Sequence, residues 1–416
     1  MTKILFFTHY FPPEGNAPAS RTYEHCVRWV KAGHEVKVIT SVPNVPNGVP
    51  YAGYCNRFRR QREMVDGIEV IRVWTYLAPN AGFVKRILNY LSYMITAFWV
   101  GLTIKRPDVI IATSPQFFCG WAGVLTQYFR RVPFILEIRD IWPESITAVG
   151  AMRKGLITRF LEWLEKRMYL SADHIVTVGQ GYRENVADKA PVGDRMSVIY
   201  NGIDGDAYTP QSLNQEFLEG YGQSGRFVCS YVGTIGMAHG LETVLDCAEL
   251  LQNAGRTDIG FLLVGDGARR QPLEDECTAR GLSNLVRFTG LLSKQEMPKV
   301  LASSNALLVH LRPCELFQTV IPSKIFEAMA MERPIIMGVQ GESAEIVRNS
   351  QAGIEMEPGN AQSLFNCVTN LKDDSNLYET LSHNGRAFVL KKFSRDAFAA
   401  KYLEVIDTVA SKIPRA

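Results

Sequence analysis

Short apolar runs alternate with stretches of helical periodicity along the chain. Lys3–Tyr10 is apolar, and Thr22–Ala32 repeats apolar residues at helical spacing until Gly33. Glu35–Thr40 then alternates as a second strand. This order predicts a parallel sheet covered by helices. Further strands are expected at Gly67–Trp74, Asp108–Ala112, Pro133–Ile138 and His174–Val178.

A second series of strands and helices follows Asn201–Pro210. Its strands are expected at Arg226–Val232, Ile259–Val264, Val286–Thr289, Ala306–Val309 and Pro334–Met337. Two Rossmann-like halves joined near residue 205 are therefore predicted. Glycine-rich loops follow several of these strands, and ligands bind at the carboxyl ends of strands in such sheets. The default site is a cleft between the two halves.

Composition describes an ordinary globular protein of 416 residues with 46% hydrophobic residues. The opening residues have only a short apolar run, typical of a buried strand and not of a secretory signal, so we expect a cytoplasmic location. Eight scattered cysteines lack metal-ligand spacing, which predicts reduced thiols, no disulfide and no zinc.

Charge differs between the two halves. Residues 1–200 hold 25 Lys and Arg against 16 Asp and Glu, whereas residues 201–416 hold 20 against 26. A basic first half indicates an anionic partner: nucleic acid, a lipid diphosphate or an anionic membrane surface. No nucleic-acid-binding motif is readable, so nucleic acid is not expected.

The segment Ile87–Ile104 interrupts the soluble pattern because it is predominantly apolar and has basic residues on both sides. Its polar residues make it too short for a bilayer crossing, which needs about 20 largely apolar residues. We expect a helix that packs on the first domain and dips one face into the inner face of the cytoplasmic membrane. The alternative is a buried helix of that domain. The nearby run Arg57–Arg62 is either a solvated basic loop or a binding site for lipid phosphate.

Lys324 and Glu327 lie three residues apart at the start of a predicted helix. The lysine suits a diphosphate, and the carboxylate suits the two hydroxyls of a ribose. The pair therefore favours a sugar nucleotide. The alternative is an ordinary first turn with a solvated lysine and a glutamate stabilised by the helix dipole.

Seven motifs together resemble the family-4 retaining glycosyltransferases of GT-B architecture, over essentially the whole chain. They are Phe11–Arg21, Ala112–Phe117, Glu137–Ser145, Asn201–Asp204, Tyr231–Glu242, Val264–Gly267 and Ile321–Ala330. The branch that the chain resembles contains bacterial transferases of O-antigen and capsule assembly, including N-acetyl-L-fucosamine transferases. The resemblance implies an α/β fold with two Rossmann-like domains facing each other across a cleft. Their expected bounds are 1–205 for the acceptor and 206–392 for the donor, with a helix in 393–416 returning to the first domain.

In the second domain the resemblance makes Glu327 the ribose-binding acid of the family's Glu-x7-Glu motif. Thr319 stands where the family has the first acid, so recognition of the donor sugar must differ. Thr234 and His239 replace the usual Arg and Lys of the first loop, which leaves Lys324, with Arg312, to neutralise the diphosphate. The other donor-binding residues expected there are Gly233, Gly236, Gly265 and Ser323.

In the first domain the resemblance implies that Gly15 lets the backbone approach the donor diphosphate, because glycine has no Cβ. Arg139 and Asp140 stand where many relatives carry a histidine, and they are expected to be catalytic beside Lys324. A structural ion pair between them is the alternative. Asn16, Arg21 and Glu144 are expected to bind the acceptor, although Glu144 also suits the start of a helix.

The predicted activity is transfer of N-acetyl-L-fucosamine, or a related N-acetylhexosamine, from a UDP-sugar to a polyprenyl-diphosphate-linked acceptor. Retention is expected through front-face attack, with no cofactor and no metal. One alternative is another nucleotide-sugar donor with a soluble acceptor. A non-enzymatic sugar-nucleotide-binding protein is the alternative of another class, and an oxidoreductase is disfavoured because Phe11–Arg21 lacks the GxGxxG pattern.

Overall fold

The computed structural model describes residues 1–45, 47–78, 83–114, 116–148, 150, 152 and 155–411. It contains two compact units. Unit 1 comprises Met1–Tyr200 with Asp396–Ala416, and unit 2 comprises Asn201–Arg395. These bounds lie within a few residues of the divisions expected at 205 and 392. Residues 412–416 of the predicted C-terminal segment lie outside the described residues.

Unit 1 contains an eight-stranded sheet in the order β3-β4-β2-β1-β5-β6-β7-β8. Its strands are Lys3–Phe7 (β1), Glu35–Ser41 (β2), Gln61–Val65 (β3), Ile68–Val73 (β4), Val109–Ser114 (β5), Phe134–Ile138 (β6), His174–Thr177 (β7) and Met196–Val198 (β8). Neighbours pair in parallel except β3 and β4. The helices are Ala17–Lys31 (α1), Phe83–Thr103 (α2), Phe117–Arg130 (α3), Glu144–Ala148 (α4), Leu156–Ser171 (α5) and Gln180–Lys189 (α6).

Unit 2 contains a parallel six-stranded sheet in the order β11-β10-β9-β12-β13-β14. Its strands are Phe227–Val232 (β9), Ile259–Val264 (β10), Val286–Gly290 (β11), Ala306–His310 (β12), Ile335–Gly338 (β13) and Gly353–Glu355 (β14). Its helices are Gln215–Gly220 (α7), Glu242–Asn253 (α8), Arg270–Ala279 (α9), Met297–Ala302 (α10), Lys324–Ala330 (α11), Glu342–Ser350 (α12), Ala361–Asp373 (α13) and Ser375–Lys392 (α14). Short 3-10 turns lie at Met237–His239, Lys294–Glu296 and Glu315–Thr319.

The last helix, Arg395–Ala410 (α15), packs against the start of unit 1. The Trp29 indole nitrogen donates a hydrogen bond to the Ala399 carbonyl at 3.2 Å. The Tyr402 ring meets Trp29 edge-on at 5.1 Å between centroids. Both aromatic side chains are fully buried, so α15 completes the core on that face of the sheet.

The predicted α/β fold with two parallel-sheet, Rossmann-like domains is confirmed. Each predicted strand is present, because apolar runs between two layers of helices give a clear signal. Three strands were missed: β3, β8 and β14. β3 is an antiparallel edge strand whose residues alternate between half-buried and exposed. The expected basic loop Arg57–Arg62 therefore ends inside a strand.

Candidate active site

At the carboxyl edge of the unit 2 sheet, the loops after β9 and β10 run side by side. The Gly233 amide donates to the Val264 carbonyl at 2.9 Å, and the Ile235 amide donates to the Asp266 carbonyl at 2.9 Å. Gly265 has φ +134, and a Cβ there would stand 1.9 Å from the Gly233 carbonyl oxygen. Only glycine permits this approach. The first glycine loop is thus held by the second.

Lys324, the first residue of α11, points its ammonium at this loop. Its Nζ lies 3.7 Å from the centroid of the buried Tyr231 ring. A Cβ at Gly233, where φ is +143, would stand 3.1 Å from the same Nζ. Burial lowers the pKa of Lys324 to about 7, and the Glu327 carboxylate opposes that shift. An anion that arrives beside Gly233 would therefore meet a poorly solvated ammonium.

His239 lies on the other side of Tyr231, with ring centroids 5.8 Å apart. Its Nδ1 accepts a hydrogen bond from the Gly236 amide at 3.3 Å. Burial, helped by the Lys324 charge, lowers the pKa of His239 to about 4. The imidazole is therefore neutral near pH 7 with its proton on Nε2, and it suits donation of a hydrogen bond and not an ion pair.

His310, at the end of β12, fixes the position of His239. Its Nδ1 donates to the His239 carbonyl at 2.7 Å, and its Nε2 accepts from the Gly359 amide at 2.9 Å. Those partners define one neutral tautomer, because a carbonyl can only accept and an amide can only donate. Burial lowers the pKa of His310, in agreement with that tautomer. No sequence pattern pointed to His310, which is buried at the end of β12.

Two arginines share one carboxylate beside the same loop. Glu242 accepts from Arg269 Nη2 at 2.7 Å and pairs with Arg312 Nη2 at 3.1 Å. The predicted Arg312 is thus at this edge, and sequence reasoning missed Arg269. The only signal for Arg269 was its place shortly after Gly265 and Gly267, where the strand has just ended.

The other predicted donor residues lie on the neighbouring loops. The Thr319 hydroxyl donates to the Leu316 carbonyl at 2.8 Å, which leaves its oxygen able to accept. Thr234 exposes its side chain, while its carbonyl accepts from the Tyr231 hydroxyl at 2.7 Å. Ser323 and Glu327 are half-buried around the start of α11.

At the carboxyl edge of the unit 1 sheet, Gly15 and Asn16 precede α1. The Asn16 side chain accepts from the Ala19 amide at 2.9 Å and so caps the helix. A Cβ at Gly15 would meet nothing within 4 Å. Packing therefore does not require glycine at this position.

Arg139 and Asp140 follow β6 and bond to different partners. Arg139 donates to the Pro18 and Ala17 carbonyls at 3.2 and 3.3 Å, so it fixes the first turn of α1. Burial lowers its pKa to about 10. Burial also raises the pKa of Asp140, whose carboxylate is held by the Ser145 hydroxyl.

Two of the residues expected to bind the acceptor, Arg21 and Glu144, have partners within unit 1. Arg21 is 5% exposed, and its guanidinium bonds to Glu137 and to two main-chain carbonyls, each at 3.0 Å. It braces the core. Glu144 begins α4, and its carboxylate pairs with Lys189 at 2.9 Å and accepts from Asn185 at 3.2 Å. That arrangement matches the alternative reading of Glu144 as a helix-start acid.

Three buried side chains near this edge were not predicted from the sequence. Among the described residues, no hydrogen-bond partner is present for His9 Nδ1, Glu14 Oε2 or Gln116 Oε1. Burial lowers the pKa of His9 to about 3 and raises the pKa of Glu14 to about 7. Tyr10 lies beside them, 5.0 Å from His9 between ring centroids, and its hydroxyl accepts from Gln116 Nε2 at 2.8 Å. In the sequence, this cluster was indicated only by Glu14, the acid directly before Gly15.

The predicted membrane helix corresponds to α2, Phe83–Thr103. One face packs on unit 1: the buried Tyr93 hydroxyl lies 3.0 Å from the Thr8 carbonyl and 2.8 Å from the Ile39 carbonyl. The other face exposes Val84, Leu88, Ile95 and Trp99. Across the described part of the chain, no helix has the length and apolar character to cross a bilayer.

Comparison with known proteins places this geometry in a family. The domain family described as Glycosyl transferase 4-like domain matches residues 16–202, and Glycosyl transferases group 1 matches residues 226–374. The putative colanic acid biosynthesis glycosyl transferase WcaI of Escherichia coli K12 is 26% identical, over 79% of this chain and 81% of its own. The 2-deoxystreptamine glucosyltransferase of Streptomyces kanamyceticus is also 26% identical, over 62% of this chain and 66% of its own.

Solved structures show the same fold at lower identity. Anabaena HepE in complex with UDP-glucose superposes with a TM-score of 0.72 at 18% identity, over 98% of this chain and 100% of that one. Sucrose-phosphate synthase of Thermosynechococcus elongatus gives 0.77 at 16% identity, over 99% and 100%. The chain, whose two domain matches cover most of its length, therefore belongs to the glycosyltransferases that join a glycosyl transferase 4-like domain to a glycosyl transferases group 1 domain.

Proposed function

We propose that this glycosyltransferase moves an N-acetylated hexosamine, such as N-acetyl-L-fucosamine, from a UDP-sugar to a polyprenyl-diphosphate-linked acceptor. The observation that carries the proposal is the cluster at the unit 2 edge. Lys324 faces the Gly233 loop across Tyr231, and Glu327 lies one turn into the same helix. A diphosphate would gain a charged partner there, and a ribose would gain a carboxylate acceptor. UDP-glucose in the similarly folded HepE supports this choice of nucleotide.

The acceptor side of the proposal rests on unit 1. Glu14 Oε2 and Gln116 Oε1 are buried oxygens without partners among the described residues, and an unpaired buried polar group costs about 1–3 kcal/mol. Hydroxyl or amide donors of a sugar would satisfy these oxygens, whereas the oxygens of an ionised phosphate have no hydrogen to donate. The colanic acid relative supports a role in surface polysaccharide synthesis, including O-antigen or capsule. The exposed apolar face of α2 supports peripheral contact with the inner face of the cytoplasmic membrane.

The proposed reaction retains the anomeric configuration through front-face attack. The bond between the anomeric carbon and the phosphate oxygen breaks, and the acceptor oxygen bonds to the same face. The acceptor proton passes to the leaving phosphate. Lys324 and His239 would stabilise the leaving charge. No metal is proposed, so added chelator should leave turnover intact, and NMR of the product should show the donor's anomeric configuration.

The test is transfer of label from UDP-N-acetyl-L-fucosamine, UDP-GlcNAc and UDP-GalNAc, in parallel, to an N-acetylhexosaminyl-diphosphate-lipid. Lipid product from one donor supports the proposal. No product from any donor, with UDP still protecting the protein against heat, would reject these substrates and leave the nucleotide site standing. A soluble acceptor is the second candidate, because the 2-deoxystreptamine glucosyltransferase is a relative. In that case, removing the apolar face of α2 should leave activity unchanged.

A further inference from the structure

Helix α5 exposes large apolar side chains at helical spacing. The exposed fractions are 83% for Leu156, 68% for Ile157, 56% for Phe160 and 51% for Trp163. The Phe160 and Trp163 rings stack with centroids 6.0 Å apart. The opposite face of α5 is buried in unit 1 through Leu161, Met168 and Tyr169. A contiguous exposed apolar patch of this kind marks an interaction surface.

Basic side chains surround this patch. Arg159, Lys166 and Arg167 are exposed on the same helix, against one exposed acid, Glu162. The Arg167 guanidinium lies over the Trp163 ring, 5.4 Å from its centroid. Tryptophan beside arginine and lysine suits the boundary between lipid headgroups and acyl chains, because the ring enters while the cations stay at the phosphates. The charge therefore favours an anionic lipid surface over a basic or neutral apolar partner.

Helix α3 packs against both α2 and α5, so the three helices lie side by side. On one side, the Phe98 ring lies 5.6 Å from the Phe129 ring and 5.5 Å from the Trp99 ring, and both Phe129 and Trp99 are exposed. On the other side, Gln127 Nε2 donates to the Ser171 carbonyl at the end of α5 at 2.8 Å. Three adjacent helices thus present apolar residues from one layer of unit 1.

The first turns of α2 and α5 project toward the edge that carries Gly15. Tyr93 of α2 is level with the Thr8 carbonyl, just beyond β1. At a rise of about 1.5 Å per residue, Leu88 and Val84 lie roughly 8 and 14 Å further along the helix. On α5, Met168 lies beside Gly120 near the start of α3, so Phe160 lies roughly 12 Å before that level.

We propose that unit 1 rests on an anionic lipid surface through two helices, with the α5 stripe Leu156, Ile157, Phe160 and Trp163 as a second contact beside α2. Two contacts would fix the rotation of unit 1 on the membrane, which one helix alone cannot do. The edge carrying Gly15 would then open at the lipid surface. This inference rests on the proposed function, because a lipid-linked acceptor has to be reached there.

The experiment measures flotation of the full chain with phosphatidylglycerol–phosphatidylcholine vesicles and with phosphatidylcholine vesicles. The variant is Phe160→Ser with Trp163→Ser, and the control is Leu291→Ser, which changes a 70% exposed leucine in unit 2. We expect the partition coefficient of the double variant onto anionic vesicles to fall roughly tenfold or more. Insertion of the two aromatic rings into lipid removes enough apolar surface from water to supply that much affinity. The control should float like the wild type, and both variants should keep heat protection by UDP.

Wild-type flotation of the double variant would overturn the proposal. So would a dimer of the wild type in sedimentation velocity that the double variant abolishes without a change in flotation, because a second copy would then cover the patch. Flotation needs neither donor nor acceptor. If flotation depends on α5 but no transfer is measured, the proposed substrates alone are rejected. If transfer is measured but flotation does not depend on α5, the docking surface alone is rejected.

Discussion

The carboxyl edges of the two sheets differ in what they offer a ligand. The unit 2 edge gathers cations: Lys324 beside Tyr231, and Arg269 and Arg312 on Glu242. The unit 1 edge presents buried acceptor atoms, including those of Glu14 and Gln116, without partners among the described residues. The same Rossmann-like arrangement therefore suits an anion on one sheet and hydroxyl donors on the other. The difference lies in loop residues and not in topology.

The most severe change on the cationic side should be Lys324→Ala. We expect kcat to fall by roughly 10- to 150-fold, about 1.5–3 kcal/mol, with a smaller loss of nucleoside binding, because the ammonium stabilises charge that develops on the leaving diphosphate. Initial rates with a saturating acceptor measure this. Lys299→Ala is the matched control, because Lys299 also lies over a ring of unit 2, that of Phe217. Equal rates in both variants would remove Lys324 from the mechanism.

A change at Glu327 should act on binding more than on turnover. Glu327→Ala removes the proposed ribose acceptor and should weaken UDP by about 1.5–3 kcal/mol while kcat changes less. Glu342→Ala, at the first residue of α12 in the same unit, serves as the control. Unchanged UDP affinity in Glu327→Ala would show that the glutamate only stabilises its helix.

The pH dependence of kcat/KM tests the role of Lys324. Its pKa is lowered from 10.5 to about 7, so kcat/KM should fall about tenfold per pH unit above 7 as the free protein loses the cation. Between pH 7 and 10.5 the unfolded chain binds this proton and the folded chain does not, so the contribution of Lys324 to stability rises with pH there. Lys324→Arg, which stays charged, should abolish the fall in kcat/KM. A profile shared by both proteins would assign it to another group.

The smallest effect is expected on the acceptor side. Glu14→Gln keeps an oxygen for the Asn44 and Val45 amides, which Glu14 Oε1 accepts at 2.9 and 3.2 Å. It should raise the acceptor KM by roughly 3- to 10-fold and leave UDP affinity unchanged, since one hydrogen bond to a carboxyl group that is partly protonated near pH 7 changes.

The pH dependence of stability provides the control for the Glu14→Gln variant. Its pKa is raised from 4.5 to about 7, so the folded state binds more protons in that window. Its contribution to stability is present below pH 4.5 and is lost as pH rises to 7. Glu14→Gln should remove that part of the pH dependence of melting. If Glu14→Gln keeps the wild-type pH dependence of melting and the wild-type acceptor KM, Glu14 neither titrates in this pH window nor binds the acceptor.

The sequence predicted the layers well and the side-chain roles unevenly. Buried parallel strands such as β10 read as continuous apolar runs, and the loop glycines mark where they end. Arg21 lies in a family motif, yet its partners are carbonyls of Ile199 and Tyr200, almost 180 residues away. Such contacts leave no local pattern. For the same reason His310 and Gln116 were missed, because their roles depend on loops that meet only in the fold.

The most direct test of the division between the two edges is calorimetric titration of UDP into three proteins: the wild type, Lys324→Ala with Glu327→Ala, and Glu14→Gln. We expect equal affinity for the wild type and Glu14→Gln, and a loss of at least tenfold in the double variant. Equal affinity in all three proteins, or a loss confined to Glu14→Gln, would contradict the assignment of the nucleotide to unit 2.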